Sequence, residues 1–152
     1  MTSDAVTLSP TNAVGDINKY DFHTDTQDVF KARKGLDVEQ TPREHAFCSH
    51  TIMTTETMVV NDAQQDQRFR ANPLVTGDPY IRFYAGAPLI DRDGQVLGSL
   101  CVIDREPQDL SEENRKALEA LGRQIIAQMD LRKTSAELAE CLASIRTLHG
   151  LL

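Results

Sequence analysis

Nothing in this sequence is apolar for long enough to cross a membrane. A span needs ~18 to 20 consecutive apolar residues, and no run within the 152 residues approaches that length. The first 20 residues lack the basic start and apolar centre of a secretory signal. Basic residues are outnumbered, 16 Lys and Arg against 23 Asp and Glu, for a net charge of −7. That deficit argues against a sequence-independent nucleic-acid binder, whose affinity comes from neutralising phosphates. Cysteine is scarce: Cys48, Cys101 and Cys141 are an odd count at no metal-ligand spacing, which fits a reduced, cytoplasmic setting. Histidines stand at 23, 45, 50 and 149 with no HExxH or CxxC around them, so no metal site is expected. Also missing are a Ser-His-Asp order with a nucleophile elbow, a phosphate-binding glycine loop, internal repeats and low-complexity tracts.

What is present is ordinary globular material, 40% hydrophobic and 26% charged, in a chain long enough for one domain with a core. Its clearest stretch is 80–107, YIRFYAGAPLIDRDGQVLGSLCVIDREP, which predicts a β-hairpin. The arms are 81–90 and 96–103, joined at Asp91-Arg92-Asp93-Gly94, where Asp93-Gly94 is expected to supply the positive φ angles of a tight turn. Gly98 and Ser99 leave room in the second arm for a bulge or for something lying close to the strand. Val96, Leu97, Leu100, Val102 and Ile103 are expected in a central strand. A long helix follows, with Ser111 as N-cap and Glu112 and Glu113 in its first turn, unbroken until Gly150 apart from Gly122.

Upstream, 29–36 (VFKARKGL) reads as a strand closed by Gly35, and 37–43 as a polar loop. A short helix is expected over 44–53, burying Ala46, Phe47, His50 and Ile52, then a short strand over 57–60. The long connection 63–79 has the length of a binding lid. Residues 1–28 show neither clear alternation nor an apolar run.

YAGAPL, the DG turn, VLGSLCVIDREP and a helix opening on LSEEN resemble the second half of a GAF domain. FKARKGL, REHAFCSHTI and MVVNDAQQDQRFRANPLV resemble the elements that precede it, so that the resemblance covers 29–131. It implies an α+β fold: a central antiparallel sheet flanked by helices, with a long C-terminal helix, used to sense small molecules and relay signals. On that basis 29–130 is the domain and 131–152 a signalling helix. The amphipathic helix and apolar first strand that normally open the family are not visible in 1–28, which is therefore expected to be poorly packed or swapped with a partner.

The resemblance also implies a ligand cavity between the sheet and its covering loop and helix. The matching segments place Asp62, Arg68, Arg70, Tyr80, Arg82 and Tyr84 near its rim, with Cys48 and His50 on the covering helix. Arginines there suit an anionic ligand through paired donors; the plain alternative is solvated loop charges and caps. No cofactor is named by the sequence. Cys48 with His45 on one helical face would make an activated thiol, against the commoner reading of a small buried cysteine. The chain loosely resembles GAF-type free methionine sulfoxide reductases, which place a cysteine in this region but use more in the loop before the hairpin. Here 63–79 has none, so a cysteine-dependent redox enzyme is the alternative rather than the leading reading. Phytochrome-type members attach a bilin to a cysteine commonly followed by histidine, whereas Cys48 is followed by Ser49.

The last expectation concerns the helix. Leu118, Leu121 and Ile125 form a near set for the domain's own sheet. Leu131, Leu138, Leu142, Ile145 and Leu152 form a far set at coiled-coil spacing, out of phase with the first across 128–131. The far set is expected to join a homodimer, no membrane or nucleic acid being involved. A seam still running at Leu152 suggests a piece of a longer protein with an output domain beyond it.

Overall fold

The computed structural model describes residues 5–10, 27–29, 33–34, 40–42 and 45–150. Among these residues the elements are β1 (Ala5–Pro10), β2 (Gln27–Val29), β3 (Arg33–Lys34), β4 (Gln40–Pro42), α1 (Phe47–Thr51), β5 (Met58–Val60), α2 (Pro73–Thr76), β6 (Phe83–Ile90), β7 (Val96–Asp104) and α3 (Glu112–His149). Five strands make an antiparallel sheet in the order β3-β1-β7-β6-β5, while β2 and β4 pair as a separate ribbon.

The β6–β7 hairpin forms the middle of the sheet, as its nearly continuous apolar arms require. Phe83, Ala85, Ala87 and Leu89 of β6 and Leu100 of β7 pack against α3. Tyr84, Cys101 and Ile103 face the other way, toward α1 and the segment carrying Phe69 and Val75. Burial on both faces explains why β7 is apolar along most of its length. At the turn the Asp91 carboxylate accepts from the backbone N–H of Asp93 (2.9 Å) and Gln95 (2.8 Å). Only Gly94 adopts positive φ, 82°, and Asp93 does not share it. Register slips between Leu89↔Gly98 and Ile90↔Val96, leaving Leu97 as the extra residue of the expected bulge.

Three upstream expectations are corrected. Residues 5–10 are a strand, paired with β7 from Ala5↔Ile103 to Pro10↔Gly98. AVTLSP dilutes three apolar residues with Thr7, Ser9 and Pro10, so its strand character comes from a central partner rather than from its own pattern. The described parts of the strand expected over 29–36 belong to two different sheets: Val29 is in β2, paired with β4, and Arg33–Lys34 is β3, paired with β1. Within the expected loop 37–43, Gln40–Pro42 is a strand against β2. The expectation of a poorly packed or swapped segment over 1–28 falls partly on residues outside those described.

α3 begins as the sequence predicts. The Ser111 hydroxyl accepts from Asn114 N–H at 3.1 Å, and Glu112 pairs with Arg115 at 2.7 Å. Its domain-facing row is corrected to Leu118, Gly122 and Ile126, with Ile125 at the flank and Leu121 58% exposed. Steps of four run nearly along the axis, and Gly122 lets the helix close on Leu89, whose Cδ2 stands 3.4 Å from where a Cβ would be. Leu121, one residue back, points ~100° away.

Candidate functional site

The covering layer is built from capped turns. Asp62 accepts from Gln64 N–H at 3.0 Å through its carboxylate and from Gln65 and Asp66 through its carbonyl. Asn72 caps α2 by accepting from Leu74 N–H at 2.9 Å, and its amide donates to the carbonyl of His45 at 2.9 Å. That bond ties the start of α1 to the start of α2. His45 lies in the turn before α1, so the shared helical face expected for His45 and Cys48 does not form.

Beneath the layer, aromatic rings occupy the space where a cavity is expected. Phe47 and Phe69 stack with centroids 4.1 Å apart, and Tyr84 tilts against Phe47 at 5.1 Å. Val60, Val75, Ile81 and Ile103 complete this cluster. Tyr84 is fully buried, a core residue rather than a rim residue. Its hydroxyl lies 2.7 Å from Thr51 Oγ1 and donates to Cys48 Sγ at 3.5 Å. Cys48 is itself 3.4 Å, sulfur to sulfur, from Cys101. Burial pushes the Tyr84 phenol well above the ordinary tyrosine range, and the two thiols add to the effect, so it remains a donor.

The other expected site residues do not converge. The Arg68 guanidinium grips Asp66, with Nη2–Oδ2 at 2.6 Å and Nε–Oδ1 at 3.0 Å, and lies over the Phe69 ring at 5.1 Å. His50 meets the same ring edge-on at 4.9 Å. It is exposed, contrary to its expected burial, because Cys48 and Thr51 take the inward side of α1. Arg82 Nη1 donates to the carbonyls of Val75 (2.9 Å) and Ile81 (3.0 Å), a structural clamp. Tyr80 is half exposed with φ 60°. Arg70 is exposed, and among the described residues its side chain makes no polar contact.

Sequence reasoning missed Asp66, Thr51, Gly86 and the approach of Cys101 to Cys48. The run Asp66-x-Arg68 is compatible with an Asx turn, but nothing in spacing reports side-chain contacts across 53 residues. The Arg68 hydrogen bonds hold the Asp66 carboxyl below the ordinary aspartate value, against a smaller opposing effect of burial. The pair's contribution to stability is therefore complete above the ordinary pKa of about 3.9 and is lost as pH falls through the lower folded-state value. Arg68→Ala is expected to bring the Asp66 pKa back up, as followed by carboxyl-carbon NMR titration. An unchanged value would show that the pair is open in solution.

A family model for the GAF domain matches residues 5–129. The chain belongs to the GAF domain family. Over 108 residues, 70% of its length, this GAF domain is 50% identical to the cyclic di-GMP phosphodiesterase PA2567 of Pseudomonas aeruginosa, and it spans 18% of that relative. Among solved structures it is similar to the free methionine-R-sulfoxide reductase from Neisseria meningitidis in complex with its substrate. There the TM-score is 0.63 at 17% identity, covering 86% of this chain and 70% of the other. It is also similar to the GAF domain of the Acinetobacter phosphoenolpyruvate-protein phosphotransferase, with TM-score 0.61 at 17% identity, covering 88% and 74%. At that identity the likeness is one of fold. The expected α+β architecture, an antiparallel sheet with helices and a long C-terminal helix, is what the GAF domain has. Among the described residues no helix is long and apolar enough to cross a membrane.

Proposed function

We propose that this GAF domain is a non-catalytic, cytoplasmic regulatory module of bacterial signal transduction that pairs with a second copy through α3 and relays changes at its sheet-and-loop side to an output domain. The observation that carries the reading is the row of apolar side chains on α3 beyond the sheet: Leu131, Leu138, Leu142 and Ile145 are all exposed. Positions 121, 128, 135, 142 and 149 repeat every seven residues, as do 131, 138 and 145. Of the near set, Leu118 and Ile125 are out of phase with this row, whereas exposed Leu121 shares the heptad position of Leu142, with Gln128 and Ser135 between them, so the row can be followed back toward the domain. A small molecule acting on the module would meet the outward groups of the covering layer, Arg68, Arg70, Tyr80 and His50, since rings fill the space beneath. The output we propose is turnover of a cyclic dinucleotide by a separate domain, by analogy with the 50%-identical relative, most of which lies outside the matched region.

The test is to incubate the chain separately with cyclic di-GMP and with free methionine-R-sulfoxide plus a dithiol reductant. Both are expected to remain unchanged. Hydrolysis of the first would overturn the non-catalytic reading, and reduction of the second would move the assignment to a cysteine-dependent redox enzyme.

A further inference from the structure

We propose that Cys48 and Cys101 form a reversible disulfide when the chain meets a hydroperoxide, making the contact between α1 and β7 a site of oxidative modification. The two sulfurs stand 3.4 Å apart although the residues are 53 positions apart in sequence. A disulfide is about 2.05 Å long, so closure needs an approach of roughly 1.4 Å. Cys101 is fixed in the central strand opposite Gly86, and residue 86 has no side chain to stand between the sulfurs. Cys48 sits on a helix of only five residues, the element better able to move.

The surroundings assign the order of events. Tyr84 donates to Cys48 Sγ at 3.5 Å, and Thr51 backs the tyrosine hydroxyl at 2.7 Å. A donor aimed at sulfur favours the thiolate, the reactive form. Cys48 therefore attacks the hydroperoxide: a sulfur–oxygen bond forms, the O–O bond breaks, and an alcohol or water leaves with the Cys48 proton. Cys101 then attacks the resulting sulfenic sulfur. The S–S bond forms, the S–O bond breaks, and the hydroxyl leaves as water with the Cys101 proton. Two electrons pass from two thiols to one hydroperoxide, and a dithiol reverses the change. Burial of both cysteines disfavours the thiolate and slows the first step, which suits a response to sustained oxidant. The reaction is stoichiometric and independent of the dimer seam. It ties the covering helix, which carries Phe47, to the central strand of the sheet on which α3 packs.

The full-length chain carrying Cys141→Ser, which removes the exposed third thiol, is treated with hydrogen peroxide, denatured, and its thiols counted and peptides mapped. The expected result is two thiols before and none after. The mass falls by about 2 Da for the two hydrogens lost, one peptide pair links 48 to 101, and dithiothreitol restores the starting state. In Cys101→Ser, Cys48 is expected to stop at a dimedone-reactive sulfenic acid. Persistence of both thiols, or their separate conversion to sulfinic acids without a 48–101 link, would overturn the proposal. Because the mapping is done on a chain that keeps both cysteines, it decides the matter even if Cys101→Ser fails to fold.

Discussion

Gly86→Ala is expected to destabilise the domain by on the order of 3 kcal/mol, far more than one methyl group on a strand usually costs. Tyr84 and Gly86 lie on the same side of β6, two residues apart, and the tyrosine ring folds back over the glycine. A Cβ at position 86 would stand 2.7 Å from Thr51 Oγ1 and 2.8 Å from Tyr84 Cε1, and closer still to the tyrosine hydroxyl. Tyr84 has nowhere to retreat, being fully buried and packed against Phe47. Overpacking of this kind costs ~1 to 3 kcal/mol. Separating Tyr84 from Thr51, also fully buried, leaves hydroxyls unsatisfied for a further ~1 to 3 kcal/mol. Tyr84→Phe alone should cost ~1 to 2 kcal/mol, and it removes the atom that the new methyl meets first. Gly86→Ala should therefore cost less in the Tyr84→Phe background than in the parent, a coupling readable from a double-mutant cycle in urea. Additive effects, or a Gly86→Ala change within about 0.5 kcal/mol of the parent, would show that the ring does not occupy this position.

The hairpin and α3 were legible because each carries its own local signal. The apolar run of β6, the Asp-Gly turn and the Ser111 cap with two acids behind it need no distant partner to declare themselves. β1 was not legible, because its six residues become a strand only by pairing with β7. The helical row failed for a related reason. Leu118, Leu121 and Ile125 satisfy an apolar pattern, but a close approach selects the smallest residue, and Gly122 carries no hydrophobic signal to count. In the candidate site, Cys48 and Tyr84 were named singly and for different roles, one on a helix and one at a rim. That they touch depends on how α1 is hung across the sheet by Asn72 and Phe47, which is tertiary information. Arg68 and Arg82 drew attention as charges, yet both are used up by neighbours, Asp66 for one and two carbonyls for the other.

Leu138→Asp with Ile145→Asp is expected to convert a dimer into a monomer. Both side chains are more than half exposed in the single chain, Leu138 at 59% and Ile145 at 52%, so the replacements disturb no packing within the domain. Any fall in urea stability should therefore be no larger than the loss of pairing itself. In a paired seam the same positions are buried, and burying a leucine or isoleucine contributes ~1.5 to 3 kcal/mol. Each is already about half covered in the single chain, so four such side chains per dimer account for on the order of 4 kcal/mol, which corresponds to roughly 10³-fold in Kd. Like charges facing one another across the seam add to the loss. Leu121→Asp separates a seam that begins beside the domain from one confined to the end of α3. It should weaken pairing in the first case and leave it untouched in the second.

Sedimentation equilibrium of the parent and the double variant, side by side at micromolar concentration, tests the relay most directly. The parent is predicted to sediment at twice the 16.9 kDa chain mass and the double variant at the chain mass. A parent that is monomeric at that concentration, or a double variant that remains dimeric, would contradict a seam along α3.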